Sequence, residues 1–414
     1  MPNQRRIAVT GIGPGGGVTP IGTGVTEFWE SILAGRSGAG PITKFDTSKY
    51  PVHFGGEVAD FDISEYLHPR RARRMGRFTQ LAYAATKLAL DDAKLDPQDF
   101  DPARIGVVIG SGIGGIALTE EEHTVLGEKG PRFVSPELIA KMIPNAAAGA
   151  VAIEFGFQGP NDCTVTACAS SGHAIARAVD LLRSGAADII ITGGTEASIT
   201  PLSLAAFCTA RALSKRNDDP QHASRPFDAD RDGFVMSEGA TVLVLEAMDV
   251  ADNRGADVLA EVMGYGLSAD AHHIVMPHPE GEGAASCMDQ ALKDSDLAPQ
   301  DIGYISAHGT STNLGDLAET KAIRKVFGDS PPPVSSTKSM TGHLLGAAGT
   351  TAAAATILGL RHQILPPNIN YETPDPAIDL DIVANQPREA KVNAAISNAF
   401  GFGGHNVSVV LAKP

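Results

Sequence analysis

Two stretches decide the architecture: Ala89-Leu90-Asp91-Asp92-Ala93-Lys94-Leu95-Asp96-Pro97-Gln98-Asp99 and Ala291-Leu292-Lys293-Asp294-Ser295-Asp296-Leu297-Ala298-Pro299-Gln300-Asp301. Seven of the eleven positions are identical, and the step from 89 to 291 is about half of the 414-residue chain. Each stretch then enters a strand-like run ending in glycine, Ile105 to Gly112 in the first and Ile302 to Gly309 in the second. Self-similarity in the same helix–loop–strand context is the mark of an internal repeat. It predicts two similarly folded halves meeting between residues 250 and 260.

Outward from the repeat, each half reads as α/β. Ile105–Ile109, Asp188–Thr192 and Thr241–Leu245 are apolar, β-branched runs of buried-strand type. Phe78, Leu81, Ala82, Ala85, Leu88 and Ala89 fall on one face of a helix. Thr209–Gly233 and Ala269–Gly283 read as long loops rich in Asp, His and Pro, and such loops often border a site.

Composition narrows the class. Hydrophobic residues make up 43% and charged residues 20%, which excludes a disordered chain. The length supplies a large core without disulfide or metal staples. A net charge of −15 argues against general nucleic-acid binding. The four cysteines (163, 168, 208 and 287) show no C-x-x-C spacing, which argues against a zinc knuckle or a thioredoxin-like site. Their scarcity predicts a reduced, cytoplasmic protein. No apolar core follows Arg5 and Arg6, and the apolar stretch Ala146–Ile153 breaks at Glu154. Neither a signal peptide nor a membrane span is expected.

The candidate chemistry follows. Gly11-Ile12-Gly13-Pro14-Gly15-Gly16 matches a dinucleotide-binding spacing. Pro14 and Pro20 oppose the helix that such a site needs, so it reads as a structural turn. Cys168 is expected between a strand, Thr164–Ala167, and a helix, Ala169–Arg183. There the helix N-terminus favours thiolate, and small neighbours admit a substrate. It is either a nucleophile or a buried small hydrophobe. Cys163, Cys208 and Cys287 lack that setting. His308 ends the strand Ile302–Ala307. His343 follows a strand, Pro333–Thr337, and a turn, Lys338–Gly342, and is expected to open an alanine-rich helix toward Leu360. Cys168 and His343 therefore occupy matching junctions in the two halves, and a pseudo-twofold axis would bring them together. His272, His273 and His278 lie on an irregular loop without metal-ligand spacing, so no metal is assigned.

Four motifs occur in order: Thr166-Ala167-Cys168-Ala169-Ser170-Ser171-Gly172, Ala307-His308-Gly309-Thr310-Ser311-Thr312, Ser336-Thr337-Lys338-Ser339-Met340-Thr341-Gly342-His343 and Phe400-Gly401-Phe402-Gly403-Gly404. Together they resemble the elongating type II β-ketoacyl-[acyl-carrier-protein] synthases over nearly the whole chain. The resemblance implies the thiolase fold, an α/β fold of two pseudo-twofold-related halves in α-β-α-β-α layers, here 1–254 and 255–414, usually as a homodimer. It implies decarboxylative condensation of malonyl with acyl carrier protein in fatty-acid elongation, without a cofactor. Cys168 would carry the acyl group, and His308 and His343 would stabilise the malonyl enolate. Lys338 would be an electrostatic member, hydrogen-bonded to Glu319 with Asp316 nearby. The N–H groups of Cys168 and Phe402 would form an oxyanion hole, with the Phe402 side chain as a gate. Thr310 and Thr312 would bind pantetheine. Ile113, Leu138, Ser198, Phe207 and Leu345 would line the acyl pocket, with Ile113 and Leu138 near its deep end at the dimer interface.

Many relatives carry a glutamate at the position of Ala352, which in some supports a monovalent cation. Its absence here puts that cation in doubt. A thiolase would need a second catalytic cysteine late in the chain, an initiating synthase typically has asparagine in place of His343, and a chain-length factor normally lacks the cysteine. A polyketide ketosynthase remains the alternative. Between Tyr66 and Leu90, Arg70, Arg71, Arg73, Arg74, Arg77 and Lys87 stand without an acidic residue. Such a patch on an acidic chain suits an acidic partner. In the family, positions matching Arg70, Arg73, Arg74 and Arg211 dock the carrier protein.

Overall fold

The structure is a computed structural model that describes residues 5–13, 18–22, 24–59 and 61–414. Residues 14–16 of the glycine-rich run lie outside the described residues, while Gly11 and Gly13 belong to a strand. Among the described residues, ten strands share one sheet: β1 (Ile7–Gly13), β2 (Ile105–Gly110), β3 (Asn161–Asp162), β4 (Ile189–Glu196), β5 (Gly239–Ala247), β6 (Ala260–Ala269), β7 (Ile302–Ser306), β8 (Val334–Ser335), β9 (Ala394–Gly401) and β10 (His405–Ala412).

Their order is β8-β7-β9-β10-β6-β1-β5-β4-β2-β3. Outward from the centre, one side runs β1-β5-β4-β2-β3 and the other β6-β10-β9-β7-β8. Each half thus visits its strands in the same sequence. Among the described residues, the halves join edge to edge only through Ala8↔Glu261 and Val9↔Ala260. The outer pairs of both halves are parallel and the inner pairs antiparallel.

Five helices define the layers: α1 (Arg77–Asp92), α2 (Ser170–Arg183), α3 (Glu282–Ser295), α4 (Asn313–Phe327) and α5 (Ala348–His362). Helices α2 and α5 lie between the halves. Their Ile175, Val179, Leu182, Ile357 and Leu358 share one apolar cluster with Val9 and Leu243 of the first half and Val407 and Leu411 of the second. Helix α5 is buried from Ala348 to Leu360, as a helix apolar or small on every side should be. Helix α1 covers the outer face of the first half, and α3 and α4 cover that of the second. The result is the expected α-β-α-β-α stack. No helix among the described residues is long and apolar enough to cross a membrane.

The repeat recurs in the packing. Helices α1 and α3 each press onto glycines of the strand of their half that lies at the joint. A Cβ at Gly13 of β1 would overlap the Ala85 carbonyl and lie 2.9 Å from Ala89 N. A Cβ at Gly266 of β6 would overlap the Cys287 carbonyl and lie 2.6 Å from Ala291 N.

Local expectations needed correction around the third strand of each half. Thr164–Ala167 is not a strand; β3 ends at Asp162, and Ala167–Ala169 forms a 3-10 turn. The Ser170 side chain replaces a neighbouring strand there, since Thr166 N donates to Ser170 Oγ at 2.9 Å and Ser170 Oγ donates to the Ala167 carbonyl at 2.7 Å. Strand β8 covers only Val334–Ser335 of the expected Pro333–Thr337, and Lys338–Thr341 is a short helix rather than a turn. His343 does not open α5. The 3-10 turn Leu345–Ala347 intervenes, with Leu345 left-handed at φ 47.

Gly13→Ala and Gly266→Ala should each destabilise the fold by about 1–3 kcal/mol through overpacking. Gly127→Ala, on an open helix face where a Cβ meets nothing within 4 Å, should instead stabilise by about 0.4–1 kcal/mol. Urea unfolding of the three variants measures both signs.

Candidate active site

Cys168 sits in the turn between β3 and α2, and His343 lies between β8 and α5, so the two occupy corresponding junctions of the two halves. His308 follows β7. The three side chains line one cleft of about 390 Å³, together with Phe402, Phe207, Thr310, Thr312, Arg211 and Glu319. The two imidazoles meet edge to face, 5.5 Å between ring centroids at 84°. Ring contacts run on from them, His343 to Phe234 and Phe207 on one side and His308 to Phe400 on the other. Phe207 also contacts Phe402.

The backbone of the His308 turn is clamped. His308 N and Gly309 N each donate to Glu319 at 2.8 Å, and Asn398 Nδ2 donates to the same carboxylate at 3.2 Å. Thr310 N donates to Asp316 at 3.0 Å, and Phe227 N donates to the other Asp316 oxygen at 2.8 Å. Lys338 Nζ donates to the His308 carbonyl at 2.6 Å. The lysine therefore bonds the peptide, and the expected Lys338–Glu319 hydrogen bond does not form, because the backbone N–H groups take the carboxylate. Thr310 and Thr312 hydroxyls lie 3.0 Å apart, and Thr312 also accepts from Gly315 N to cap α4.

Burial governs the charges. It holds both imidazoles well below 6.5, with Lys338 adding to the effect, so they are neutral near pH 7. The buried Nδ1 of each ring has no hydrogen-bond partner among the described residues. Burial lowers Lys338 to about 8 against the opposing pull of Glu319. It raises Asp316 to about 7 and moves Glu319 upward. The Cys168 thiol is pushed up to about 12 by burial. Lys338 and the N–H groups of Phe402 and of Cys168 itself pull it down, and Glu196 pushes it further up. In the resting site, desolvation of the buried sulfur therefore opposes the thiolate preference expected at the helix N-terminus.

Behind the cysteine, Leu345, Ile113 and Phe207 join Cys168 in one apolar cluster. Ser198 is fully buried, with its hydroxyl unpartnered. Leu138 is half-buried at the start of the helix Leu138–Met142, outside that cluster. Ala352 is buried in α5, and its methyl group offers a cation no side-chain oxygen at that position. The His273 ring accepts from Val275 N and Met276 N, and no group of three His, Cys, Asp or Glu side chains able to hold a metal occurs among the described residues. Arg70, Arg73 and Arg74 are exposed, as is Arg211 on the cleft. Arg71 and Arg77 are spent on Glu154 and Glu238.

Sequence reasoning missed Phe234 and Glu196. Phe234 lies in a loop with no periodic signal. Glu196 had one signal, a lone carboxylate closing the apolar strand β4.

A fold of two matching halves with a cysteine and two histidines at their junction defines a class, and comparison places the chain in it. Residues 4–251 match the β-ketoacyl synthase N-terminal domain and residues 259–372 its C-terminal domain, so this chain belongs to the β-ketoacyl synthase family. It is 50% identical over 412 residues to a 3-oxoacyl-[acyl-carrier-protein] synthase 2 from Synechocystis sp., covering 99% of this chain and 98% of that protein. It is 48% identical over 415 residues to a protein of the same name from Staphylococcus aureus, covering 100% and 99%. Among solved structures, the ishigamide ketosynthase/chain length factor superposes with a TM-score of 0.92 at 36% identity, covering 100% of both chains. A type II polyketide ketosynthase bound to its acyl-carrier protein gives 0.91 at 35%, again covering 100% of both.

Because Lys338 loses its proton near pH 8, its help to the Cys168 thiolate should fade above that pH. Iodoacetamide alkylation of the Cys168 peptide, followed by mass spectrometry, should climb with pH less steeply above about 8. In Lys338→Met the profile should lie lower below that pH and show no break. A wild-type profile without the break removes Lys338 from the charge balance of the thiol.

Proposed function

We propose that this chain catalyses the decarboxylative Claisen condensation of malonyl-[acyl-carrier-protein] with acyl-[acyl-carrier-protein], extending a fatty acid by two carbons. The observation that carries this reading is the facing of one buried thiol by two neutral imidazoles in a single cleft. Cys168 sulfur attacks the acyl thioester, the carrier thiol leaves with the proton, and an acyl-cysteine remains. The N–H groups of Cys168 and Phe402 bear on the sulfur and are placed to hold the oxyanion of that transfer. Malonyl carrier protein then occupies the cleft, its arm beside Thr310 and Thr312. Its carboxylate leaves as carbon dioxide, and the electron pair passes to an enolate whose oxygen accepts hydrogen bonds from His308 and His343. A neutral imidazole keeps one N–H to donate to the enolate oxygen, and the buried pocket keeps water from the carbanion. The carbanion attacks the acyl carbonyl and expels the Cys168 thiolate, which takes up a proton from solvent in place of the one that left with the carrier thiol. Lys338 holds the His308 peptide and lowers the thiol, and Phe402 lies between the cleft and the apolar cluster as the gate.

The relatives favour the fatty-acid pathway. The proteins called 3-oxoacyl-[acyl-carrier-protein] synthase 2 share 48–50% identity, against 35–36% for the polyketide ketosynthases. The carrier protein docks on Arg70, Arg73 and Arg74, with Arg211 at the entrance. The supporting observations are the exposure of these cations and a related ketosynthase solved with its acyl-carrier protein. The enzyme works as a homodimer. Leu126, Phe133, Ile139 and Ile143 crowd an apolar surface on residues 116–143, and the helix Ile116–Lys129 has no buried residue in the single chain. Leu138 starts the next helix of that surface, so a second copy would close the deep end of the acyl pocket near it. With four free cysteines, the chain suits the cytoplasm.

Two experiments test this. His343→Ala should slow carbon dioxide release from malonyl carrier protein by about 10²–10³-fold while Cys168 still accepts an acyl group, as expected for one lost charge-stabilising donor. Unchanged release excludes the enolate role. Arg73→Glu with Arg74→Glu should raise KM for carrier-bound acyl groups and leave acyl-pantetheine turnover nearly unchanged. Wild-type association should weaken as salt shortens screening toward about 8 Å. Equal loss on both substrates rules out docking there.

A further inference from the structure

Glu196 closes β4 with its side chain fully buried, and no cation pairs with it among the described residues. Such a carboxylate persists only where donors replace water. Four do. Gly112 N at 2.8 Å and Gly346 N at 3.1 Å share one oxygen. Ile113 N and Ser111 Oγ, both at 3.2 Å, share the other. Ser111–Ile113 is the turn after β2 of the first half, and Gly346 lies in the turn after His343 of the second. The two turns touch: a Cβ at Gly346 would overlap Gly112 N and lie 2.7 Å from Glu196 Oε2, and a Cβ at Gly112 would lie 2.8 Å from the same oxygen. Next to these contacts stand Ile113 and Leu345, both part of the apolar cluster around Cys168. Leu345 is held in the left-handed region that leucine avoids, which costs about 1 kcal/mol or more and needs an anchor.

We infer that Glu196 is a positioning residue for acyl-chain selection: its carboxylate staples the two turns and so sets the spacing of Ile113 and Leu345 beside the acyl-cysteine. The inference rests on the acyl-cysteine reading above. A carboxylate suits this staple because it offers only acceptors to four donors. An amide of the same shape offers one acceptor oxygen and turns its NH₂ against backbone N–H groups.

The test is the dependence of condensation on acyl length in the full-length enzyme. In Glu196→Gln the ratio of kcat/KM for C16 to that for C4 acyl carrier protein should shift by at least about tenfold, the scale of misplacement within a site. Carbon dioxide release from malonyl carrier protein, which does not use these walls, should fall far less. Ser111→Ala removes one of the four donors and should shift the same ratio in the same direction by a smaller factor, which keeps the test available if the glutamine variant does not fold. An unchanged ratio in both variants, or an equal loss at every length and in decarboxylation, overturns the inference. If the wild-type enzyme forms no acyl-cysteine at all, the condensing reading falls first and takes this inference with it.

Discussion

The peptide of His308 is gripped from both ends, and the site depends on that grip. Its N–H is bonded by Glu319 and its carbonyl by Lys338, and both partners are buried. Glu319 and Asp316 lie on the first turns of the helix that begins just after the loop they hold, so α4 folds its own leading segment back onto itself. The strand end, the helix start and the short helix at Lys338 therefore meet at one rigid point. Removing either partner would leave one end of this buried backbone without its hydrogen bond, a loss typically of about 1–3 kcal/mol. The same cation that holds the peptide adds to the burial that keeps the imidazoles neutral, and it pulls the thiol down, so architecture and electrostatics share one set of atoms.

The second constraint is the joint between the halves. Neither half contains a complete site: the thiol belongs to the first and both imidazoles to the second. They face each other because equivalent turns follow equivalent strands. The central helices α2 and α5 are small-residue helices, which lets the halves close to contact distance. A Cβ on Gly172 of α2 would lie 2.5 Å from the Val407 side chain and one on Gly194 of β4 2.6 Å from the Gly346 carbonyl, both across the joint, so side chains there would wedge the halves apart. Reactive groups held at fixed separation by a packed core give proximity that two mobile loops could not.

Much of this was legible in order along the chain. The repeated Ala-Leu-x-Asp…Leu-x-Pro-Gln-Asp segments mark α1 and α3 with the strands β2 and β7 behind them, because helix periodicity and turn chemistry are local properties. Cys168, His308, Lys338 and His343 stood out through their small-residue and glycine-rich surroundings. Thr164–Ala167 reads as a strand but is a turn, since its Thr166 N–H and Ala167 carbonyl are satisfied by the Ser170 side chain rather than by a neighbouring strand. Glu196 and Phe234 were passed over because their partners lie far away in sequence; Glu196 reaches Gly112 across 84 residues and Gly346 across 150.

The amino-acid sequence alone determined the α/β class, the two-half organisation and which residues could carry chemistry, since these follow from periodicity, repetition and residue type. Only the tertiary structure decided what state those residues are in. A helix N-terminus beside Cys168 argued for thiolate, yet burial pushes the thiol up to about 12. A lysine expected to pair with Glu319 instead bonds a carbonyl. Desolvation and the competition among distant donors for one carboxylate depend on which atoms the fold removes from water, and no local pattern in the chain records that.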